Sequence, residues 1–181
     1  VGALYTRKGI LVSPLVTGGP QERGRRGGTE NVPAILGFGV AAAEAIDWLT
    51  DDNIQGMEEL KATFESLLLQ KMPEVHINSS GAKRAWTTSS ISFPSLKGEL
   101  LLLMLSERGV CASSGSACSS GALKESKVIE AIGAPDDGEW GTVLFSFARP
   151  TIKQELDNAI EAVCASLATI TEVLETSATS S

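Results

Sequence analysis

The residues best able to do chemistry lie in one stretch, Cys111-Ala112-Ser113-Ser114-Gly115-Ser116-Ala117-Cys118-Ser119-Ser120-Gly121. Serines and glycines surround Cys118, and Ala117 supplies the only methyl group beside it. No core is built from such residues. The Cys118 thiol is therefore expected exposed on a loop, where reactivity rather than packing sets its role. A thiolate so placed can act as a nucleophile that accepts a sulfur atom and passes it on. The same thiol in a flexible turn can equally be inert. Cys111 ends an apolar, strand-like run and is expected to be a small buried hydrophobe; Cys164, beside Val163 in a helical pattern, is expected to be the same. A Cys111–Cys118 disulfide is geometrically open but not expected in a cytosolic protein.

A second stretch, Gly18-Gly19-Pro20-Gln21-Glu22-Arg23-Gly24-Arg25-Arg26-Gly27-Gly28-Thr29, is too rich in glycine to be a regular element. Its arginines, the backbone N–H groups of Gly27 and Gly28, the Thr29 hydroxyl and the helix start that follows suit a single phosphate group. A solvated loop or a partner contact is the plainer alternative. The Gly-Lys-Ser/Thr ending of the nucleotide-hydrolase phosphate loop is absent.

Other chemistries find little support. His76 is the only histidine, so no second one completes a metal set or a catalytic triad. Trp48, Trp86 and Trp140 are too scattered for a stacking platform. Fifteen Lys and Arg against 22 Asp and Glu give a net charge of -7 over 181 residues, which argues against nucleic-acid binding through phosphate neutralisation. No apolar run approaches the roughly 18 residues of a membrane span, and Val1–Tyr5 is too short for a secretory signal, so no membrane partner is expected. Apolar residues at 43% and charged residues at 20% fit a globular chain with a real core.

The elements that must position these loops follow from periodicity. Val1–Tyr5 reads as a strand already under way, needing neighbours for its backbone groups. Thr29 or Asn31 can cap a helix with Pro33 in its first turn. Its apolar residues Ile35, Phe38, Ala42, Ile46 and Leu49 predict an end near Asp51-Asp52-Asn53. A second helix is predicted from about Ile54 to Met72. Val75–Asn78 and Thr87–Phe93 read as strands, Gly98–Glu107 as a leucine-rich helix and Gly109–Ala112 as a short strand. Leu123, Val128 and Ile132 mark a short helix. Thr142–Phe147 alternates as a strand, and Ile152–Leu174 carries the apolar stripe of a long helix, followed by a polar tail. Strands alternating with helices over short links predict an α/β fold with a partly antiparallel sheet.

The two loops together resemble the cysteine desulfurases of the class V aminotransferase superfamily, the nitrogen-fixation and iron–sulfur-assembly type with a long cysteine loop. The residues that carry the resemblance are Gln21 to Asn31 and Ser113 to Gly121, with Gly2–Tyr5 and Thr142–Thr151 in the same frame. It implies a C-terminal portion of a fold-type I enzyme. Residues 1–31 would be an edge strand and cofactor-phosphate loop of the large domain, 32–53 a linker helix, 54–175 the small α/β domain and 176–181 a flexible tail. It implies pyridoxal 5'-phosphate as cofactor and L-cysteine as substrate, converted to L-alanine with a persulfide left on Cys118. It implies a cytoplasmic homodimer that hands sulfur to an acceptor or scaffold protein, with Gly28 and Thr29 reaching the cofactor phosphate of the neighbouring subunit. Arg26 and Asn31 belong to the same motif.

Two departures from the family pattern stand out. The cofactor-anchoring lysine, the ring-stacking histidine and the aspartate on the ring nitrogen belong to a portion preceding this sequence. Lys8 is no substitute, so activity is expected only with an N-terminal complementing chain or fragment. Leu144 stands where the family has the arginine that clamps the substrate carboxylate, and Arg149 is the remaining candidate for that contact. These departures leave open a non-catalytic, sulfur-carrying or regulatory homologue. A related lyase or aminotransferase acting on another amino acid is the other alternative.

Overall fold

A computed structural model describes residues 1–114, 127–135 and 140–179. The chain divides into two compact units, Val1–Asp51 and Asp52–Ser181.

The first unit holds a single-turn helix α1 (Gln21–Gly24) and the long α2 (Val32–Trp48). Val1–Tyr5 is irregular here, with no strand beside it in this unit to take up its N–H and C=O groups. At α1, Glu22 and Arg23 adopt left-handed backbone angles, with φ of 49° and 59°, a costly conformation for residues with a Cβ. Asn31 caps α2: its Oδ1 accepts from the Ala34 N–H at 3.2 Å, and Pro33 sits in the first turn where no donor is needed. The helix stops at Trp48, earlier than predicted. Asp51 and Asp52 open the next helix instead of closing this one, since carboxylates are stabilised at a helix N-terminus. Among the first 51 residues only Gly27 is buried.

The second unit is a layer of helices on a three-stranded antiparallel sheet. Its helices are α3 (Asp51–Lys71, with its first residue in the other unit), α4 (Gly98–Glu107), α5 (Lys127–Ala131) and α6 (Lys153–Thr179). The strands β1 (His76–Ile77), β2 (Thr88–Pro94) and β3 (Trp140–Ser146) lie in the order β1-β2-β3. Ile77 pairs with Ile91, and Ile91 with Val143. That register gathers Ile91, Phe93, Val143 and Phe145 onto one buried face. The core is completed by Phe64 and Leu68 of α3, Leu101 and Leu105 of α4, and Leu156, Ile160 and Val163 of α6. Phe64 meets Phe145 and Phe147 at ring-centroid distances of 5.1 and 5.5 Å, in tilted and edge-on geometry.

The predicted strand Gly109–Ala112 does not form. Gly109, with φ of 77°, turns the chain out of α4, and the Val110 N–H donates to the Leu105 carbonyl at 2.9 Å. Those backbone groups close a helix end and are lost to a ladder. Among the described residues that follow α4, Ser113 reaches β3, in an isolated bridge to Leu144. The α6 helix runs to Thr179, beyond the predicted stripe.

One ion pair ties α3 to the connection between β1 and β2. Arg84 donates to Glu65 through both guanidinium nitrogens, at 2.7 and 2.8 Å, and the Ser89 hydroxyl donates to the same carboxylate at 2.6 Å. One turn away, buried Lys61 donates to the Ala85 carbonyl at 2.6 Å. Burial pushes the Glu65 carboxyl up. The hydrogen bonds from Arg84 and Ser89 and the charges of Arg84 and Lys61 outweigh it, leaving the group below its ordinary value.

Glu65→Gln is therefore expected to destabilise the fold by about 2–3 kcal/mol in urea melts, through loss of the bidentate pair and an imperfectly matched amide. The sign with pH is fixed by the direction of the shift. A carboxyl with a depressed folded-state value adds stability above its unfolded value and loses it as pH falls through the folded value. The drop in wild-type stability below the ordinary carboxylate range is expected to be shallower in the Gln variant.

Candidate functional site

The glycine–threonine turn of the first unit is built by close backbone approach. The Gly27 N–H donates to the Val16 carbonyl at 2.8 Å. A Cβ on Gly27 would lie 2.7 Å from the Gly18 nitrogen and 2.7 Å from the Thr17 carbonyl carbon, so no other residue fits without moving main chain. The next residue, Gly28, has φ of 100° and donates its N–H to Gln21 Oε1 at 3.2 Å. Arg26 folds back so that its guanidinium donates to the Gly27 carbonyl. Gly28 and Thr29 are exposed, two residues before the Asn31 cap of α2. Both glycine N–H groups are engaged within the turn, so what it presents next to the helix N-terminus is the Thr29 hydroxyl and the Arg26 charge, with the Gly28 N–H held only by an exposed side-chain acceptor. The glycines were legible in the sequence. The role of Gln21 as the acceptor that holds Gly28 was not, because a glutamine in a glycine-rich loop carries no spacing signal.

In the second unit the sheet face opposite the core is polar. Asn78 Nδ2 donates to the Ser90 and Ser92 hydroxyls at 3.0 Å each, and Ser92 Oγ lies 2.8 Å from Thr142 Oγ1. Leu144, half-buried, stands on this face directly across from Ser90. Its main chain makes both bonds of the isolated bridge: Ser113 N–H to Leu144 O at 3.1 Å, and Leu144 N–H to Ser113 O at 2.6 Å. The stretch that leads to Cys118 is therefore rooted on β3 at Leu144. Cys118 itself lies outside the described residues. Arg149 is exposed in the turn that follows β3, closed by Ala148 N–H to Thr151 Oγ1 at 2.9 Å, and so sits off the strand face that carries Leu144.

Cys111 corrects its expectation: it is exposed, at a cleft of about 370 Å³ lined by Phe64, Arg108, Phe145, Phe147 and Glu155. The physical reason is the missing strand, since a residue just past a helix end has no sheet to bury it. Cys164 is half-buried on α6, not fully buried. No single helix among the described residues is long and apolar enough to cross a membrane.

Against known proteins, the family described as Aminotransferase class-V matches residues 1–159. A cysteine desulfurase of Trichormus azollae is 43% identical over 161 residues, covering 89% of this chain and 40% of that protein. The cysteine desulfurase NifS of Azotobacter vinelandii is 41% identical over 163 residues, covering 90% of this chain and 40% of that protein. The solved structure of a NifS-like protein from Rickettsia africae ESF-5 superposes with a TM-score of 0.75 at 27% identity, over 87% of this chain and 41% of that one. A second NifS-like structure gives 0.78 at 30% identity, over 91% and 41%. The chain thus spans about two fifths of the length of these relatives, roughly their C-terminal portion. The mixed α/β layer of the second unit matches the small C-terminal domain of a fold-type I pyridoxal phosphate enzyme.

Gly27→Ala tests the turn. The added methyl group must displace the Thr17–Gly18 main chain, breaking the bond to Val16. The amide of residue 27 is expected to exchange with solvent at least about tenfold faster in the variant, read by NMR, as expected for one hydrogen bond lost. Unchanged protection would show that the turn tolerates a side chain.

Proposed function

From the premise that the chain belongs to the class-V aminotransferase family, we propose that it is the C-terminal portion of a cysteine desulfurase, with Cys118 as the sulfur-accepting nucleophile. The observation that carries this reading is a family match running from residue 1 to 159, and so across both loops. High identity to cysteine desulfurases over about nine tenths of the chain supports it.

The turn at Gly27 supports the cofactor part of the proposal, because close packing of Gly27 on Thr17 and Gly18 fixes a loop that leaves Gly28 and Thr29 exposed beside the start of α2. Thr29 would hold the phosphate through its hydroxyl and Gly28 through its N–H, which would exchange Gln21 Oε1 for a phosphate oxygen, with Arg26 adding positive charge beside them. Pyridoxal phosphate, when bound, supplies the electron sink that makes the substrate's carbon–sulfur bond breakable. The anchoring lysine, in this reading, comes from a lysine-bearing N-terminal portion of the fold.

Sulfur transfer then falls to this chain. The Cys118 thiolate attacks the sulfur of L-cysteine, and a sulfur–sulfur bond forms as the substrate's carbon–sulfur bond breaks. The electron pair of the broken bond stays with the carbon, which takes up a proton to give L-alanine. Cys118 is left as a persulfide for an acceptor or scaffold protein. Ser113, hydrogen-bonded to β3, fixes where the loop begins. The completed enzyme acts as a cytoplasmic homodimer in this proposal.

Leu144 favours a second reading. The matching position in the family carries a carboxylate-clamping arginine, and a half-buried leucine offers no donor. If Arg149 does not take over, the chain serves a sulfur-carrying or regulatory homologue without turnover.

The test uses the full chain co-expressed with a lysine-bearing N-terminal portion. Cysteine is expected to add one sulfur atom to Cys118, seen by intact mass, with alanine released. Cys118→Ala is expected to lower sulfur release at least about a hundredfold. A complex that binds the cofactor but puts no sulfur on Cys118 would overturn the reading. Leu144→Arg is expected to lower KM for cysteine by about tenfold or more, the worth of a charge-assisted pair. An unchanged KM would assign the clamp to Arg149, which Arg149→Ala would then abolish.

A further inference from the structure

In the glycine–threonine turn the Gly27 N–H is taken by main chain, whereas the Gly28 N–H is taken by a side chain. Gln21 Oε1 accepts from it at 3.2 Å, in an exposed position. A neutral acceptor at the surface holds such a donor only weakly. The same Gln21 amide is packed against Gly19. A Cβ on Gly19 would lie 2.6 Å from Gln21 Oε1 and 2.9 Å from Nε2. Gly19 has no positive φ to call for glycine, unlike Gly24 and Gly28. Its missing side chain therefore serves to make room for the Gln21 amide. Arg26 Nη1 lies 3.5 Å from where a Gly28 Cβ would stand, so a cation sits beside the donor that Gln21 occupies.

We propose that Gln21 is a displaceable latch on the phosphate seat of this turn. The inference rests on the reading above that Gly28 and Thr29 hold a phosphate, and it names the contact that competes for that seat. A backbone N–H carries a single hydrogen, so a phosphate oxygen at Gly28 must expel Gln21 Oε1. The exchange is favourable, because hydrogen bonds to a charged acceptor are roughly twice as strong as those to a neutral one. The expelled amide is already at the surface, where water takes it up. Without phosphate, Gln21 keeps the Gly28 donor satisfied and ties it to α1; with phosphate, that tie is released. The latch thus lowers the affinity of the seat by the worth of one exposed hydrogen bond. A brace that merely shaped the loop for its ligand would raise the affinity instead, and the two roles therefore differ in sign.

The experiment titrates the full chain with inorganic phosphate at constant ionic strength and follows the Gly28 amide by NMR. Gln21→Ala removes the latch and is expected to tighten phosphate binding about three- to tenfold, the worth of one hydrogen bond. Gly19→Ala leaves Gln21 present but evicts its amide, and is expected to act in the same direction. Gln21→Glu sets a carboxylate on the same N–H and repels phosphate, and is expected to weaken binding about tenfold or more. Weaker binding in both alanine variants would make Gln21 a brace and overturn the latch. Equal affinity in all four proteins, with the Gly28 amide still shifted by phosphate, would overturn the latch and keep the phosphate reading. A Gly28 amide that phosphate shifts in none of them would overturn both. Tighter binding in the alanine variants of a chain that, once completed, puts no sulfur on Cys118 supports the latch and overturns the desulfurase reading alone.

Discussion

One pairing register governs the second unit: Ile91 opposite Val143, flanked by Ser90 opposite Leu144. Side chains alternate across a strand, so this single choice sends Ile91, Phe93, Val143 and Phe145 into the helices and leaves Ser90, Ser92, Thr142 and Leu144 on the other face. A slip of β2 by one residue would put serines against Phe64 and Leu68 and turn Ile91 and Phe93 out of the core. Each of these is worth about 1.5–3 kcal/mol when buried. The hydroxyls reinforce the register from the polar side, because the Asn78–Ser92–Thr142 hydrogen bonds close only when Ser92 faces Thr142. The core and the polar face that carries Leu144 are thus set by one register.

The sequence was legible where a strong period and a chemical stop coincided. The α3 helix ends just before Met72-Pro73, and α4 fits its leucine run between Gly98 and Glu107. Asn31 could be named as a cap because its side chain and the following Pro33 both favour a helix start. Legibility failed where one residue can serve two ends. Asp51-Asp52 reads equally as the polar close of one helix or the acidic opening of the next, and only the helix dipole decides. It failed again at Gly109–Ala112, where strand-like composition was overridden by a helix-closing bond from Val110 to Leu105.

The site was legible in part for a different reason. Glycines that admit no Cβ and a cysteine among serines leave marks in composition, whereas the groups that hold them do not. Gln21 holds Gly28, and Ser113 roots the cysteine stretch, yet both look like ordinary loop residues in the sequence. Cys111 was misjudged because its burial depended on a strand that the chain does not make. Val1–Tyr5 shows the same dependence, since a strand is a property of a pair and no partner within the unit supplies the other half.

The bridge at Leu144 has a consequence for how the candidate site can vary. Both of its hydrogen bonds use main-chain atoms, Leu144 N–H and C=O with Ser113 O and N–H. The side chain at this position takes no part in rooting the loop. A strand residue can therefore exchange arginine for leucine with the β2–β3 ladder and the loop root intact, because an antiparallel ladder needs only the backbone. What changes is the chemistry of the polar sheet face. Leucine puts an apolar branch beside Ser90, where an arginine would offer a fork of charge-assisted donors. The backbone of Leu144 thus fixes Ser113, while its side chain sets the character of the sheet face.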